Sequence, residues 1–471
     1  MAFFTIKTML NAVSVKKESR TLFILFVPLF LGLLSNCAMS AVDTLMSGMA
    51  GTIELSGVAL GTTFTFPCYL FLQCTAAAIT PTVSHLLALN KLRRIHISTF
   101  NATVTSVTIA VITSILLLSM KYVIDFIPSD KEMVSIASDY ILFIALGLPS
   151  VSFFYSRLSF IQGLGISKLT LYFGILELCL NIPLNYIFIF GKLGVPAFGG
   201  AGCGLTTSLI YTICAVVIIF YERHSTLLDK YRTTKKTAIL FLKDIKSFLK
   251  LGIPIGISRT VEVTGFTMAA LILSPFGPVV MAAHTITLSI SGLIFMIPLS
   301  LGISGTIRVA YAMGSKNWDH ARLILKIILS INLLLYIIYF SLVFLFRENL
   351  AGLYISDPEV IALASGLLIL NCIYMLPDSV QSVLSCVLMG FKDSKVIFYV
   401  TVSAYWLIGL PLGSALAWGL FTDKLHAYGI WTGFIFALSV AAVLFASRTF
   451  YLFKTRTYPK LLLESYHNKK E

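Results

Sequence analysis

Four acidic residues lie inside long apolar stretches of the sequence, where an ionised side chain is expensive. They are Asp43 in SAVDTLMSG, Glu177 in ILELCL, Glu262 in SRTVEVTGF and Asp378 in YMLPDSVQ. A charge at the centre of a bilayer costs about 2.5–3.5 kcal/mol on insertion scales, so such a residue marks function by default. These acids are therefore the first candidates for binding a cation or a proton.

Tyr374 and Asp378 are four residues apart, so in a helix their side chains share a face. With a carboxylate from another helix they would supply oxygen ligands for a cation. The same group could instead hold and release a proton, because burial favours the neutral form of an acid. Glu262 is the candidate second carboxylate, and its alternative role is to neutralise Arg259, three residues before it.

The other polar residues of the apolar stretches give weaker signals. Asn181 and Asn185 form an i, i+4 pair that could face Asp43, although Asn also bonds helices to one another. Glu177 has no neighbouring motif and is expected to be paired structurally. Two arginines near predicted helix ends are expected to extend their side chains to water: Arg157 and Arg308.

Motifs for catalysis and cofactor binding are absent from the sequence. It contains no GxxxxGK[ST], HExxH or GxGD, and its eight cysteines form no CxxC pair. The glycine cluster at 199–204 lies in a predicted external loop rather than after a strand. We therefore predict neither an enzyme nor a cofactor.

The elements that must position these acids follow from composition. The chain of 471 residues is 57% hydrophobic and 12% charged, with mean hydropathy +0.91, whereas soluble domains carry about 25% charged residues. A bilayer-spanning helix needs about 20 mostly apolar residues. Twelve such stretches predict an all-α membrane protein, and they begin near residues 21, 55, 99, 133, 169, 204, 248, 279, 321, 358, 396 and 426.

The net charge of +14 is distributed unevenly. With a cytoplasmic N-terminus, most Lys and Arg fall on the inner side, and the outer loops hold Lys121, Lys131, Lys192, Arg347 and Lys424. This asymmetry follows the positive-inside rule. We therefore expect a multi-pass inner-membrane protein with both termini cytoplasmic, whose basic residues orient it and do not bind nucleic acid.

The sequence repeats itself at an offset of 226 to 228 residues. This shift superimposes Pro28 on Pro254, Pro149 on Pro377, Lys168 on Lys395, Pro183 on Pro411, and Gly202 on Gly429. We expect an N-terminal six-helix lobe at 1–221, a cytoplasmic basic linker at 222–247, a C-terminal six-helix lobe at 248–455 and a cytoplasmic tail at 456–471. Such parallel repeats are typical of transporters with a substrate site between the halves.

Four segments carry a resemblance to a known family. They are VDTLMSGMAG with ELSGVALG (42–61), NIPLNYIFIFGKLGVPAFGGAGCG (181–204), GPVVMAAHTITLSISGLIFMIPLSLG (277–302) and PDSVQSVLSCVLMGFKDS (377–394). The chain resembles the multidrug and toxic compound extrusion (MATE) family, in its NorM-like bacterial branch. The resemblance implies a V-shaped pair of six-helix bundles that exports amphipathic, often cationic compounds in exchange for Na⁺ or H⁺.

The resemblance also implies roles for individual residues. Glu262, Tyr374 and Asp378 look like the cation site of the second lobe, where Na⁺ could bind. Asp43 looks like the acid of the first lobe, in contact with the coupling ion or the substrate, with Asn181 beside it.

Two positions depart from the family pattern. Asn185 stands where some members have a second acid, which puts a charged Na⁺ site in the first lobe in doubt. Thr285 follows His284 where members commonly carry Gln, so Thr285 is a candidate substrate contact that differs from theirs.

The function that we expect is cation-coupled export of drugs or toxic compounds by a monomer, with lipid as its other partner. One alternative is a lipid-linked oligosaccharide flippase of the related superfamily, which would be expected to have more basic residues in its cleft and often additional helices. The other is a membrane-embedded enzyme, which the missing motifs disfavour.

Overall fold

The computed structural model describes residues 2–124, 130–231, 239–420 and 423–467, and these residues form helices and short connections with no strand. Twelve of the described helices are long and apolar enough to cross a membrane, which confirms the predicted all-α membrane fold. We number them α1 to α12: Ser14–Ala50, Thr52–Ala88, Leu92–Ser119, Lys131–Gly163, Lys168–Phe190, Gly199–His224, Leu242–Phe276, Pro278–Gly314, Trp318–Gly352, Pro358–Gly390, Ser394–Trp418 and Ala427–Thr455.

The shorter elements lie at the ends of these spans. The helix that contains α1 begins at Ala2, and short helices occupy Lys121–Ile124, Thr226–Tyr231 and Lys460–His467. Residues 232–238 of the expected basic linker and 468–471 of the expected tail lie outside the described residues.

Side-chain caps set where several spans begin. Asp130 accepts a hydrogen bond from the Glu132 amide (2.8 Å) before α4, and Asp357 accepts one from the Glu359 amide (2.9 Å) before α10. Such caps satisfy amide groups that have no partner inside the helix. At the end of α5, Gly191 has φ 67°, a left-handed conformation that favours glycine.

The helices pack into two compact units. The first unit is Leu31–Gly256, and the second unit is Met1–Phe30 together with Ile257–Glu471. The first part of α1 thus packs in the second unit, where Leu22 and Phe26 are buried in the core. The expected lobes at 1–221 and 248–455 follow the sequence repeat, whereas these units follow helix packing. The lobes therefore remain a prediction.

Each change of unit falls inside a continuous helix and next to a proline. Pro28 lies in α1 just before the change at Phe30, and Pro254 lies in α7 just before the change at Gly256. A helix-interior proline removes one backbone hydrogen bond and bends the helix. The two prolines are also equivalent positions of the sequence repeat.

Aromatic and aliphatic side chains fill the core of each unit. The second unit buries several large rings completely, namely Trp431, Tyr405, Phe391, Phe434 and Phe445. The first unit buries Phe154 completely, together with aliphatic side chains and a cysteine, among them Leu72, Ile141, Leu148 and Cys203.

Glycines let some helix backbones touch. Within the second unit, a Cβ added at Gly433 of α12 would lie 2.5 Å from the Gly413 backbone of α11. Small residues at such crossings allow the close packing on which helix association in membranes depends. The contact between α11 and α12 therefore requires glycine.

We expect Gly433→Ala to lower the stability of the purified protein by about 1–3 kcal/mol, because the added methyl group must push two backbones apart. The measurement is thermal unfolding in detergent. Gly292→Ala in α8 is the matched control, since nothing lies within 4 Å of its added Cβ. Equal unfolding temperatures for the two variants would contradict the tight crossing.

Candidate functional site

Glu262 is buried on α7 between a guanidinium group and a phenol. Its Oε2 accepts a hydrogen bond from Arg259 Nη1 at 2.8 Å, and its Oε1 accepts one from the Tyr405 hydroxyl at 3.2 Å. Arg259 also donates to Ser385 Oγ of α10 at 3.4 Å. Three helices of the second unit, α7, α10 and α11, thus meet at this carboxylate.

Asp378 is buried on α10 and has a different kind of partner. Its Oδ1 accepts a hydrogen bond from Gln381 Nε2 at 3.1 Å, one turn along the same helix. The carboxyl groups of Asp378 and Glu262 are close enough to interact electrostatically. Of these two acids, only Glu262 forms a salt bridge among the described residues, and its partner is Arg259.

Aromatic rings enclose the two acids. The Tyr374 ring packs edge-on to Trp431, with centroids 5.3 Å apart, and Phe266 packs edge-on to Tyr405 at 5.9 Å. Tyr374 is 3% exposed and Tyr405 is 1% exposed. The structure therefore brings Glu262, Tyr374 and Asp378 together in an environment from which bulk water is largely excluded.

Tyr405 and Gln381 belong to this group, and sequence reasoning missed both. Tyr405 lies in a π-helical segment of α11, Ser403–Gly409, whose wider turn shifts the register of the residues beyond it. Gln381 follows Asp378 by three residues, so helical spacing alone could have indicated it.

Asp43 lies in the first unit, where two amides hold its carboxylate. Asn181 Nδ2 and Asn185 Nδ2 donate to Asp43 Oδ1 at 2.8 and 2.6 Å, and Asn185 also donates to Asn181 Oδ1 at 3.2 Å. Both asparagines are fully buried on α5. No salt bridge involving Asp43 occurs within the described ranges, so neutral donors alone stabilise its charge.

The hydroxyl of Thr285 is bonded within its own helix. It is exposed on α8, and its hydroxyl donates to the Met281 carbonyl of the same helix at 2.8 Å. Its neighbour His284 is buried, with its ring edge-on to Trp431 at 6.0 Å. Neither ring nitrogen of His284 has a hydrogen-bond partner in the part of the chain that the structure describes.

Ion pairing and burial describe three other charged side chains. Arg157 does not extend to water, because it is 9% exposed and bonded to Glu222, with Nη2 and Oε2 2.6 Å apart. Arg308 makes a two-point ion pair with Glu18, at 2.7 and 2.8 Å, and its side chain stays 20% exposed. Glu177 is not paired as expected, since its buried Oε2 has no hydrogen-bond partner among the described residues.

The fold and these buried acids define a class of protein, a multi-pass membrane transporter of two helical units. The sequence model of the MatE family matches residues 28–187 and again residues 254–414. The chain therefore belongs to the MATE family. The two matches also reproduce the offset of the sequence repeat.

Curated relatives cover nearly the whole chain. The sequence is 35% identical over 444 residues to multidrug resistance protein MdtK of Yersinia pseudotuberculosis serotype O:1b, covering 93% of this chain and 97% of that protein. It is also 35% identical over 442 residues to MdtK of Proteus mirabilis, covering 93% and 96% of the two chains.

Solved structures share the fold. The eukaryotic MATE transporter AtDTX14 superimposes with a TM-score of 0.85 at 21% identity, covering 96% of this chain and 98% of the other. An outward-facing multidrug resistance MATE transporter of the MOP superfamily gives a TM-score of 0.80 at 18% identity, covering 93% and 97%. At these identities the likeness shows the fold alone.

We expect Asn181→Ala to lower stability by about 1.5–3 kcal/mol, the usual value of a hydrogen bond to a charged group. In an Asp43→Ala background the same substitution should cost much less, because the charge is gone. Thermal unfolding of the four proteins of this cycle measures the coupling. Asn349→Ala, at an exposed position of α9, is the control, and strictly additive losses would contradict the contact.

Proposed function

We propose that this chain exports amphipathic, often cationic compounds across the inner membrane in exchange for Na⁺ or H⁺. The coupling ion is bound at Glu262, Tyr374 and Asp378 in the second unit. Asp43, held by Asn181, is the acid of the first unit and contacts the substrate or the coupling ion.

The observation that carries this proposal is an imbalance of charge in the second unit. Arg259 is bonded to Glu262, whereas the hydrogen-bond donor of Asp378 is the neutral Gln381. An isolated buried carboxylate costs several kcal/mol, so it takes up a proton or binds a cation. Two acids beside one guanidinium thus leave room for one additional positive charge.

The membrane potential can supply the energy for this exchange. One elementary charge that moves through 100 mV releases about 2.3 kcal/mol. A carboxylate that must be protonated or cation-bound to stay buried makes the protein sensitive to H⁺ or to that cation. Export can then be driven without a nucleotide-binding domain.

The class of substrate follows from the sign of the buried groups. Asp43 and Asp378 have amide partners rather than basic ones, so when ionised they favour cationic partners. The aromatic rings near Asp378 suit amphipathic compounds. Relatives named for multidrug resistance, at 35% identity over nearly the full chain, support the same class. Thr285 as a substrate contact stays a prediction.

The orientation of the chain belongs to the same proposal. The excess of Lys and Arg on one side of the spans supports a cytoplasmic location of both termini. Arg94 at the start of α3 pairs with Asp244 at the start of α7, at 2.8 Å. This ion pair links the first turns of the two helices.

The two alternatives have less support. A flippase for lipid-linked oligosaccharides handles anionic substrates, for which buried bases rather than buried acids would be needed. A membrane-embedded enzyme would need catalytic groups that the sequence motifs do not provide. Drug susceptibility of an efflux-deficient host that expresses this chain separates the three functions, because we expect resistance to rise for an exporter alone.

We expect Asp378→Asn to abolish export while the protein still inserts and accumulates in the membrane. The amide keeps the shape and the hydrogen bonding of the side chain but removes the charge that a cation or proton requires. Without the carboxylate the site cannot balance the charge of the ion, so gradient-driven export should fall to the background level. The measurement is drug efflux from vesicles under an imposed gradient of Na⁺ or of H⁺.

Asp319→Asn is the matched control for this substitution. Asp319 is exposed at the start of α9, where it pairs with Arg456 at 3.2 Å, so its variant should export normally. Ion-driven export by the Asp378 variant at the level of this control would remove Asp378 from the mechanism.

A double substitution tests Glu262 against its structural alternative. If Glu262 only neutralises Arg259, then Arg259→Met with Glu262→Gln removes both charges and should recover much of the export lost in Glu262→Gln. If Glu262 binds the coupling ion, the double variant should insert normally but stay inactive, because an amide cannot balance the charge of the ion. We expect the inactive outcome, and recovery of gradient-driven export in vesicles would assign Glu262 to neutralisation.

A further inference from the structure

The first unit contains a second buried acid that the proposed mechanism does not use. Glu177 on α5 is 2% exposed, and its Oε2 is buried without a hydrogen-bond partner among the described residues. It forms no salt bridge in these residues. An unpaired carboxylate in such surroundings is unstable unless it carries a proton or binds a cation.

Three tyrosine hydroxyls from three other helices form a triangle near this acid. The hydroxyl of Tyr69 on α2 lies 2.7 Å from that of Tyr155 on α4 and 2.6 Å from that of Tyr211 on α6. The Tyr155 and Tyr211 hydroxyls are 3.2 Å apart. Glu177 interacts electrostatically with each of the three, so four helices converge on one polar cluster.

Helix α1 completes the surroundings of the cluster. Contacts between Gly32 and Thr170 and between Asp43 and Asn181 show that α1 and α5 run in parallel. That register places Asn36 at the level of Glu177, and the Oδ1 atom of Asn36 is also buried without a partner within the described ranges. The titratable groups around Glu177 are thus Tyr69, Tyr155, Tyr211 and Cys214.

The sequence repeat relates this cluster to the ion site of the second unit. Asn36 and Glu262 each lie eight residues after the aligned prolines of α1 and α7. Glu177 and Tyr405 each lie six residues before the aligned prolines of α5 and α11. Because Tyr405 donates to Glu262, the pair formed by Asn36 and Glu177 occupies the equivalent place in the first unit, with the acid on the other helix.

We propose that Glu177 and the hydroxyls of Tyr69, Tyr155 and Tyr211 form a proton-binding site in the first unit, separate from the site at Asp43. The neutral carboxylic acid is the form that suits a buried group without a cationic partner. When the proton leaves, a tyrosine hydroxyl can turn from its neighbour to the carboxylate. The 3.2 Å contact between Tyr155 and Tyr211, the longest of the three, is the one that is given up most easily.

The geometry favours a proton over a metal cation. The phenol oxygens stand 2.6 to 3.2 Å apart, which are hydrogen-bond separations, so they are bonded to one another rather than spread around an ion. This inference concerns a protonation site and does not depend on which compound the protein exports, or on whether it exports one.

Infrared difference spectroscopy of the purified full-length chain in detergent tests the site directly. Spectra recorded between acidic and alkaline pH show the C=O band of each carboxylic acid that loses its proton. We expect one such band to vanish in Glu177→Gln and to persist in Asp43→Asn. Glu132→Gln, at an exposed position at the start of α4, should leave every buried-acid band in place.

A second variant keeps the acid and changes its surroundings. In Tyr211→Phe the carboxylate loses a donor, so we expect the Glu177 band to persist to higher pH than in the unsubstituted protein. This variant tests the site even if Glu177→Gln does not fold. The proposal is overturned if Glu177→Gln retains every carboxylic acid band, if Tyr211→Phe titrates like the unsubstituted protein, or if Na⁺ at constant pH removes the Glu177 band.

Discussion

The cost of a charge in an apolar medium is the constraint on which the rest of this structure depends. At the ends of the spans the protein meets that cost with ion pairs, such as Arg308 with Glu18 and Arg448 with Asp393, at 2.7 Å each. These pairs hold helix ends together and leave no net charge. Farther along the helices Asp43 and Asp378 have neutral amide partners, which stabilise the carboxylate by hydrogen bonding without cancelling its charge. Asp43 and Asp378 thus differ from the acids at the helix ends in having no arginine partner among the described residues.

The fold could be predicted from the sequence because lipid imposes a simple length and composition on each span. Twelve apolar stretches gave twelve helices, and the spacing of Tyr374 and Asp378 correctly placed both side chains in one buried group. Patterns of this kind are local, within one helix. The internal repeat could also be recognised from the sequence, because proline and glycine positions reflect backbone geometry that both halves share.

Contacts between distant helices could not be predicted in the same way. Tyr405 reaches Glu262 from a helix 143 residues away, through a π-helical turn that no propensity indicates. The tyrosine triangle joins α2, α4 and α6, and each of its members looks like an ordinary core residue in the sequence. The expectation for Arg157 was wrong for a related reason, since a basic residue near a helix end suits water and a distant carboxylate equally well.

The two units have equivalent helices but different polar groups, and the sequence repeat shows at which positions they differ. Asn181 and Asn185, which hold Asp43 in the first unit, are equivalent to Gly409 and Gly413 in the second. There a Cβ added at Gly433 would lie 2.5 Å from Gly413 and 2.7 Å from the Gly409 carbonyl oxygen, so the same positions serve helix packing instead of hydrogen bonding. The buried carboxylate of Glu262 is held instead by Arg259 and Tyr405. Because the shared backbone geometry fixes where helices cross but not which crossing carries polar groups, the two units can bury acids in polar groups of different composition.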